Sequence, residues 1–489
     1  MKQEFPLRGA IAILLALIAL RLVGAAITPI AFDEAYYWTW SKHLASGYYD
    51  HPPMVAIVIR LGTMIFGDTP LGVRFVSVLL GLPMTYAVYR TAEILFASRQ
   101  TAAGAAVLLN ATLVAAAGTM IVTPDAPLMV ASAFVLFFLA KIYQTGNGAW
   151  WLAVGIAVGA ALYSKYTALF FGLEILLWLL LAPRMRHWLV SPWPYVGGIL
   201  AFSLFAPVIL WNANHEWVSF AKQLGRARMD QLTLRFIGEL LPAQVMFATP
   251  AIFVLGVMGL YALARSRTGN AETRTLIAVS VGTILIYFLI HSLHARVEAN
   301  WLGPIYPAFA IAAAAAADQV SWGPRVKRFV KLNAKWAVPG GSLLLALLIV
   351  QANTGLLSGF RRDPTVRSIG VGWPDLAREI ETKRREVGAT CVVAADYGTT
   401  SWLKFYLPKG TCVEQPGERI RWVNMPPLDA EAFAGRSLLV DEVWGDGPII
   451  LREACSGGKK VGEAQRKRGP LVIETYKLVL IDCRVADMK

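Results

Sequence analysis

The chain has 489 residues, of which 56% are hydrophobic and only 16% charged, with a formal net charge of +14. A soluble protein of this size keeps polar faces on its surface helices, whereas here the apolar blocks run unbroken for about 18 to 25 residues, enough to cross a hydrocarbon core of roughly 30 Å. The positive charge does not indicate nucleic acid, because Lys and Arg sit in short clusters between apolar blocks rather than on one basic, aromatic-studded face.

In chain order the blocks predict roughly eleven membrane spans. Their limits fall near 9–28, 72–95, 101–121, 126–143, 149–163, 166–182, 194–211, 242–264, 274–291, 303–317 and 338–357. The first resembles a signal peptide in position, but its long apolar run contains Arg21 and many spans follow, so a retained anchor is expected. With the N-terminus inside, the cytoplasmic loops carry Arg90 and Arg99, Lys141, then Arg184 and Arg186. They continue with Arg265, Arg267 and Arg274, then Arg325, Lys327, Arg328, Lys331 and Lys335. This is a positive-inside pattern. An odd span number places everything after residue 358 outside, dividing the chain into a membrane module, 1–357, and a soluble periplasmic tail, 358–489.

The tail reads as a small α/β domain. Helical character is expected at 373–386 and 399–407, a buried strand at 390–395, and further strands at 437–441 and 471–482. All four cysteines, Cys391, Cys412, Cys455 and Cys483, fall there. An even number confined to one soluble region suggests disulfides and an oxidising compartment. Of the possible pairings, Cys391–Cys412 with Cys455–Cys483 is expected; the alternative is buried thiols, and the absence of CxxC spacing argues against zinc.

The loops assigned to the outside carry the chemistry-bearing residues. The first, about 29 to 71, contains Phe32-Asp33-Glu34-Ala35-Tyr36-Tyr37-Trp38 and then Gly47-Tyr48-Tyr49-Asp50-His51-Pro52-Pro53-Met54. Aromatics alone would suit an interfacial belt. Adjacent carboxylates beside a span are costly unless they face a wet cavity or a cation, so this loop is a candidate site. A later outside loop, 212–241, carries Arg226, Arg228 and Arg235 against the charge rule, and another holds His291, His294, Arg296 and Glu298.

These stretches resemble the GT-C membrane glycosyltransferases, in particular the lipid A aminoarabinose and galacturonosyl transferases and the related protein O-mannosyltransferases. The Asp-Glu pair after the first span, with a stretch leading to a basic residue and Pro-Pro, carries the likeness. Thr123-Pro124-Asp125-Ala126-Pro127, Trp211-Asn212, His215-Glu216-Trp217, Glu298-Ala299-Asn300-Trp301 and Tyr306-Pro307 support it. It covers most of the membrane region and thins in the tail beyond Tyr397 and Phe405-Tyr406. By the topology above, every one of these motifs falls outside, as does Ser164-Lys165-Tyr166.

The resemblance implies a polytopic all-α GT-C fold with a periplasmic α/β domain, and transfer of a sugar from a polyprenyl-phosphate donor to lipid A, lipopolysaccharide or another envelope glycan, with a protein Ser/Thr acceptor as the alternative. A carboxylate would take the acceptor proton: Asp33, with Glu34 beside it and Asp125 as the second acid. A bare N-cap role for Asp125 is the alternative. Cations would receive the leaving phosphate, with His51, Lys165, Arg226, Arg228 and Arg296 as candidates. His51 stands where the aminoarabinose transferases more typically carry Lys, and the arginines would also suit lipid headgroups. Tyr36, Tyr37, Tyr49, Asp50, His294, Glu298, Asn300 and Trp301 are candidate substrate contacts, His294 and Glu298 pairing across a helical turn. Asp33, Glu34 and Asp50 are suitable oxygen ligands for a divalent cation, but basic residues can neutralise phosphate instead, so no metal or other cofactor is expected. Membrane lipids are the remaining expected partners.

Two other classes compete. A lipid-linked sugar transporter would show internal symmetry and acids near mid-membrane, and neither is visible. An envelope scaffold would explain the tail but not the Asp-Glu loop.

Overall fold

Where no water reaches the backbone, each segment must satisfy its own N–H and C=O groups, so continuous apolar runs become helices. The computed structural model describes residues 7–225, 232–355, 368–427, 433–442 and 455–483. Six helices among them are long and apolar enough to cross a membrane: Arg8–Ile27, Pro70–Phe96, Asp125–Thr145, Pro192–Ala213, Ala271–His291 and Pro324–Thr354. Three more apolar runs are broken pairs, bent by 56° between Arg99–Ala111 and Leu113–Met120, by 116° between Tyr166–Leu181 and Pro183–Val190, and by 101° between Arg235–Ala248 and Pro250–Ala264.

Six to nine helices or pairs, rather than the eleven expected, therefore meet the length and composition a span needs. The runs at 149–163 and 303–317 form helices of 13 residues, Trp150–Leu162 and Tyr306–Asp318. Each is about 20 Å long at 1.5 Å per residue. Hydropathy counts apolar residues but does not register a bend. Thr249, at a φ of 65°, breaks the run 242–264 in two immediately before Pro250.

The chain divides into two units. One comprises Met1–Gly24, Asp50–Val58 and Arg74–Ala346. Its core includes the helix Tyr306–Asp318, buried from Tyr306 to Ala316. Alanine and glycine allow the close backbone approach that drives helix packing where apolar surface gains little from leaving lipid. A Cβ on Gly259 would lie 1.9 Å from the Ala312 carbonyl oxygen, and one on Gly155 would lie 2.3 Å from that of Gly197. Arg21 is fully buried in this unit, and its Nη2 donates to the Asn110 carbonyl at 2.7 Å.

The other unit comprises Ala25–Tyr49, Ile59–Val73 and Leu347–Lys489. Strands β1 (Cys391–Ala394), β2 (Cys412–Glu414), β3 (Arg436–Glu442), β4 (Cys455–Arg468) and β5 (Leu471–Cys483) form one sheet of order β2-β1-β3-β5-β4. β1 runs parallel to both neighbours, while β3, β5 and β4 are successively antiparallel. Successive side chains of a strand point to opposite faces. Val392 and Ala394 accordingly join a core with Trp373, Leu376, Ile380 and Trp402, while Cys391 and Val393 join Phe433 and Ile481.

The helices Trp373–Glu386 and Tyr397–Tyr406 and strands β1, β3 and β5 follow the sequence expectation closely. β2 is too short to show a pattern. β4 is charged along its length, as befits an edge strand, and its pairing with β5 closes through Gly469-Pro470, with Gly469 at a φ of 54°. Cys391 and Cys412 face each other in register on β1 and β2 and form the expected disulfide. The Cys455–Cys483 bridge lies outside the described side chains.

Candidate functional site

In the first unit, three stretches far apart in sequence meet on one carboxylate. The helix Asp125–Thr145 begins at Asp125 itself, after Pro124. Asp125 is therefore not an N-cap. Its Oδ1 accepts from Lys165 Nζ at 2.6 Å and its Oδ2 from Asn300 Nδ2 at 2.8 Å. Lys165 occupies an extended residue just before the turn Tyr166–Leu169, which aims its side chain across the unit. The two charged side chains are 8% and 10% exposed. The lysine ammonium also lies 5.5 Å from the Trp301 ring centre. Trp301 packs on Phe288 and His291, and the His291 ring lies 4.5 Å from that of His294. Both ring nitrogens of His294 are buried without a hydrogen-bond partner among the described residues.

A second polar group in this unit surrounds Asp50, whose carboxylate pairs with Lys222 while its carbonyl accepts from Gln223 Nε2 at 3.1 Å. The half-buried His51 follows, then Pro52-Pro53, and the Met54 N–H donates to the Tyr163 carbonyl at 3.1 Å. That bond fastens the start of the helix Met54–Phe66 to the turn that presents Lys165. Buried Asn212 accepts from the Ser219 N–H at 3.3 Å and donates to the Val208 carbonyl at 3.0 Å. Glu216 and Trp217 have consecutive positive φ values of 54° and 57°. Such strained pairs persist only where their surroundings enforce them, and this one redirects the chain into the helix Val218–Gly225 that carries Lys222.

The predicted His294–Glu298 pairing does not form, because the helix ends at His291 and residues 294–298 are not helical. Glu298 instead faces exposed Arg296 at 3.5 Å, and Arg296 lies 3.7 Å from Glu239. Arg226 and Arg228 lie outside the described residues.

In the second unit, Asp33 is in the first turn of the helix Phe32–Lys42, where the unpaired N–H groups favour a negative charge. The Tyr397 hydroxyl donates to its Oδ1 at 3.4 Å. Tyr397 opens its own helix, capped by Asp396, which accepts from the Thr399 N–H at 2.8 Å. Glu34 is fully buried, and its Oε2 accepts from the Ala31 N–H at 2.8 Å. Ala31 has no side-chain acceptor to offer, so Glu34 supplies one half of a capping box. Tyr36 and Tyr37 are buried, and the Tyr36 ring lies 5.0 Å from Tyr397 and 5.5 Å from Trp422. The Arg421 guanidinium stacks 4.4 Å from the Tyr397 ring and 5.2 Å from Tyr49.

At the other end of this helix, Lys42 pairs with Asp68, and Trp38 Nε1 donates to the same carboxylate at 2.9 Å. Burial alone would raise the Asp68 carboxyl. Those two hydrogen bonds, with the charges of Lys42 and Lys409, hold it below its ordinary value. Burial pushes the Lys404 ammonium down, and Arg419 adds to this while Glu414 opposes it.

Sequence reasoning missed Lys222, Gln223 and Arg421. Lys222 carried a usable signal, a cation in an outside loop against the charge rule; Arg421 carried none, being one arginine among many in the tail.

The chain matches the family described as dolichyl-phosphate-mannose-protein mannosyltransferase over residues 50–211. Its sequence is similar to that of lipid A galacturonosyltransferase RgtD of Rhizobium johnstonii, 28% identical over 291 residues. That alignment takes in 58% of this chain and 60% of the relative, so it spans less than two thirds of the relative's length. In fold the chain is similar to ArnT from Cupriavidus metallidurans bound to undecaprenyl phosphate, with a TM-score of 0.63 at 14% identity over 96% of this chain and 97% of that one. It is also similar to the apo oligosaccharyltransferase of Archaeoglobus fulgidus, with a TM-score of 0.54 at 13% identity over 93% and 70%. The resemblance to GT-C membrane glycosyltransferases is present in sequence and in fold alike, and the chain is a multi-pass helical membrane protein with a small C-terminal sheet.

Proposed function

We propose that this protein is a glycosyltransferase that moves a sugar from a polyprenyl-phosphate carrier to lipid A, lipopolysaccharide or another envelope glycan on the periplasmic face of the inner membrane. The observation that carries this reading is the convergence of Asp125, Lys165 and Asn300. These residues come from three stretches far apart in sequence, two of which carry the resemblance, and they form one hydrogen-bonded cluster in which Asp125 and Lys165 are buried. The relatives supply the donor and acceptor classes. In this reading the N-terminus is cytoplasmic, residues 1–357 are the catalytic membrane module and residues 358–489 are periplasmic, where the Cys391–Cys412 disulfide is stable.

Asp33 is the proposed base. It takes the proton of the acceptor hydroxyl as that oxygen bonds to the anomeric carbon, while the bond from this carbon to the phosphate oxygen breaks and polyprenyl phosphate departs. Tyr397 orients the Asp33 carboxylate, and Glu34 holds the helix start that presents it. His51, Arg226, Arg228 and Arg296 receive the leaving phosphate. Lys165, already neutralised by Asp125, is proposed to position that acid and Asn300 toward sugar hydroxyls beside Trp301. With cations for the phosphate, the reaction is proposed to need no metal.

Mass spectrometry of lipid A, core oligosaccharide and periplasmic proteins tests this, comparing cells that lack the gene with cells carrying wild type or Asp33→Asn. A sugar-sized mass on lipid A or core that returns only with wild type is expected. The same mass on a periplasmic protein would identify a protein O-glycosyltransferase, the acceptor class named by the matching family. Identical profiles in all strains, followed by no transfer in vitro from polyprenyl-phosphate sugars, would overturn the enzyme reading in favour of transport.

A further inference from the structure

The first unit holds a crevice of about 490 Å³, remote in sequence from the residues discussed above. Val257, Met258, Tyr261, Trp322 and Val326 line it, and Arg267 is its charged residue. Val257, Tyr261 and Val326 are 47%, 46% and 40% exposed, and Pro250–Ala264, which carries the first two, belongs to an apolar helix pair. Apolar side chains left open on such a helix face acyl chains.

The position of Arg267 follows from how that helix ends. The Arg267 N–H donates to the Ala262 carbonyl and the Ser266 N–H to the Leu263 carbonyl, with Ser266 at a φ of 54°. This is a Schellman closure, which folds the residue after the turn back onto the last helical turns. The guanidinium thereby lies 5.6 Å from both the Tyr261 and Trp322 rings. Trp322 is itself fixed by Nε1 donating to the Ala316 carbonyl at 2.8 Å. Arg265 also stacks on Tyr261, at 5.7 Å.

The helix Pro324–Thr354, which contributes Val326, begins with Arg325, Lys327 and Arg328 and has no acid in its first turn. Among the described residues, none of these five cations has a carboxylate partner. Farther along the helix, exposed Phe329, Leu332 and Trp336 alternate with Lys331 and Lys335, the composition of a segment lying at a headgroup boundary.

Uncompensated cations beside an apolar trough call for a ligand that is anionic at one end and apolar along its length. A free phosphate would leave the trough uncovered, and a neutral lipid would leave the arginines unmatched. We infer that this crevice binds an anionic phospholipid, the phosphodiester bridging Arg267 and the Arg325 end of the neighbouring helix while one acyl chain lies along Val257, Met258 and Tyr261. Stacking on two rings holds the guanidinium plane in place, ready for paired hydrogen bonds to phosphate oxygens. The inference is independent of the proposed transfer reaction.

Native mass spectrometry of the purified full chain, exchanged into equimolar phosphatidylglycerol and phosphatidylcholine, tests it. Wild type should retain phosphatidylglycerol over phosphatidylcholine by about tenfold. Arg267→Gln with Arg325→Gln should bring the ratio close to one, while Arg267→Lys with Arg325→Lys keeps most of the preference. Phosphatidylglycerol brominated on its acyl chain should quench a fluorescence component that is missing in Trp322→Phe, a readout that stands even if the glutamine variant folds poorly. A ratio near one in wild type, an unchanged preference in the folded glutamine variant, or no Trp322-dependent quenching would overturn the site. Displacement of the lipid by soluble glycerol 3-phosphate would reassign it to a free phosphate ester.

Discussion

The Lys165 ammonium lies 2.6 Å from the Asp125 carboxylate, with both side chains at a tenth exposed or less. In water such a pair is worth little, but once buried each partner depends on the other. Asp125→Ala or Lys165→Met alone should cost about 3–5 kcal/mol, because each strands a buried charge. Combining Asp125→Ala with Lys165→Met should cost less than the sum of the two single changes. Thermal unfolding of the four proteins in one detergent measures the coupling, and strict additivity would show that the pair is not energetically joined.

Asp33 and Glu34 are adjacent in sequence but face different partners, Tyr397 for the first and the Ala31 N–H for the second. Asp33→Asn should lower sugar transfer by about 10²- to 10⁴-fold and leave the melting temperature unchanged. Tyr397→Phe should give a smaller loss. Glu34→Ala should instead destabilise the protein by about 1 kcal/mol, the scale of a lost helix cap. Normal turnover by folded Asp33→Asn would remove Asp33 from the mechanism.

Gly259 and Gly238 both lie within helices, yet an added methyl group meets different surroundings at the two positions. At Gly259 it would sit 1.9 Å from backbone, and at Gly238 nothing lies within 4 Å. Gly259→Ala should destabilise the protein by about 1–3 kcal/mol or more through overpacking, whereas Gly238→Ala should be neutral or slightly stabilising. Equal melting temperatures for the two variants would contradict the close approach of the helices Pro250–Ala264 and Tyr306–Asp318.

Asp68 links protonation to stability. Burial by itself would raise its carboxyl, but the hydrogen bonds from Lys42 and Trp38 hold it below its ordinary value. A carboxyl lowered on folding contributes stability above the unfolded value, and that contribution disappears as pH falls through the folded one. Melting temperature should therefore drop more steeply below about pH 4 in wild type than in Asp68→Asn. Parallel curves across pH 3 to pH 7 would place the acid sensitivity elsewhere.

The Lys165 cluster shows how far the sequence can be read. Asp125, Lys165, Asn300 and Trp301 each stand out as polar or aromatic residues at the edge of an apolar block, and topology alone assigns them to one face. That Lys165 is paired with Asp125 is invisible in the sequence. Glu34 is similar: the Asp-Glu pair is conspicuous, but only the backbone shows that its second member closes a helix end. Lys222 stands out as a cation in an outside loop, but its pairing with Asp50, 172 residues away, is not recorded in the sequence.

The sequence by itself determined that this is a multi-pass helical membrane protein with a small α/β tail. The reason is local: apolar length and strand alternation are properties of contiguous residues, and hydrogen bonding without water leaves them few alternatives. It also determined which residues are chemically unusual for where they stand. Tertiary structure decided where apolar runs bend, as at Thr249, and which helices fall short of a full crossing. It also decided which charges neutralise one another, because these depend on packing between segments that no contiguous pattern records.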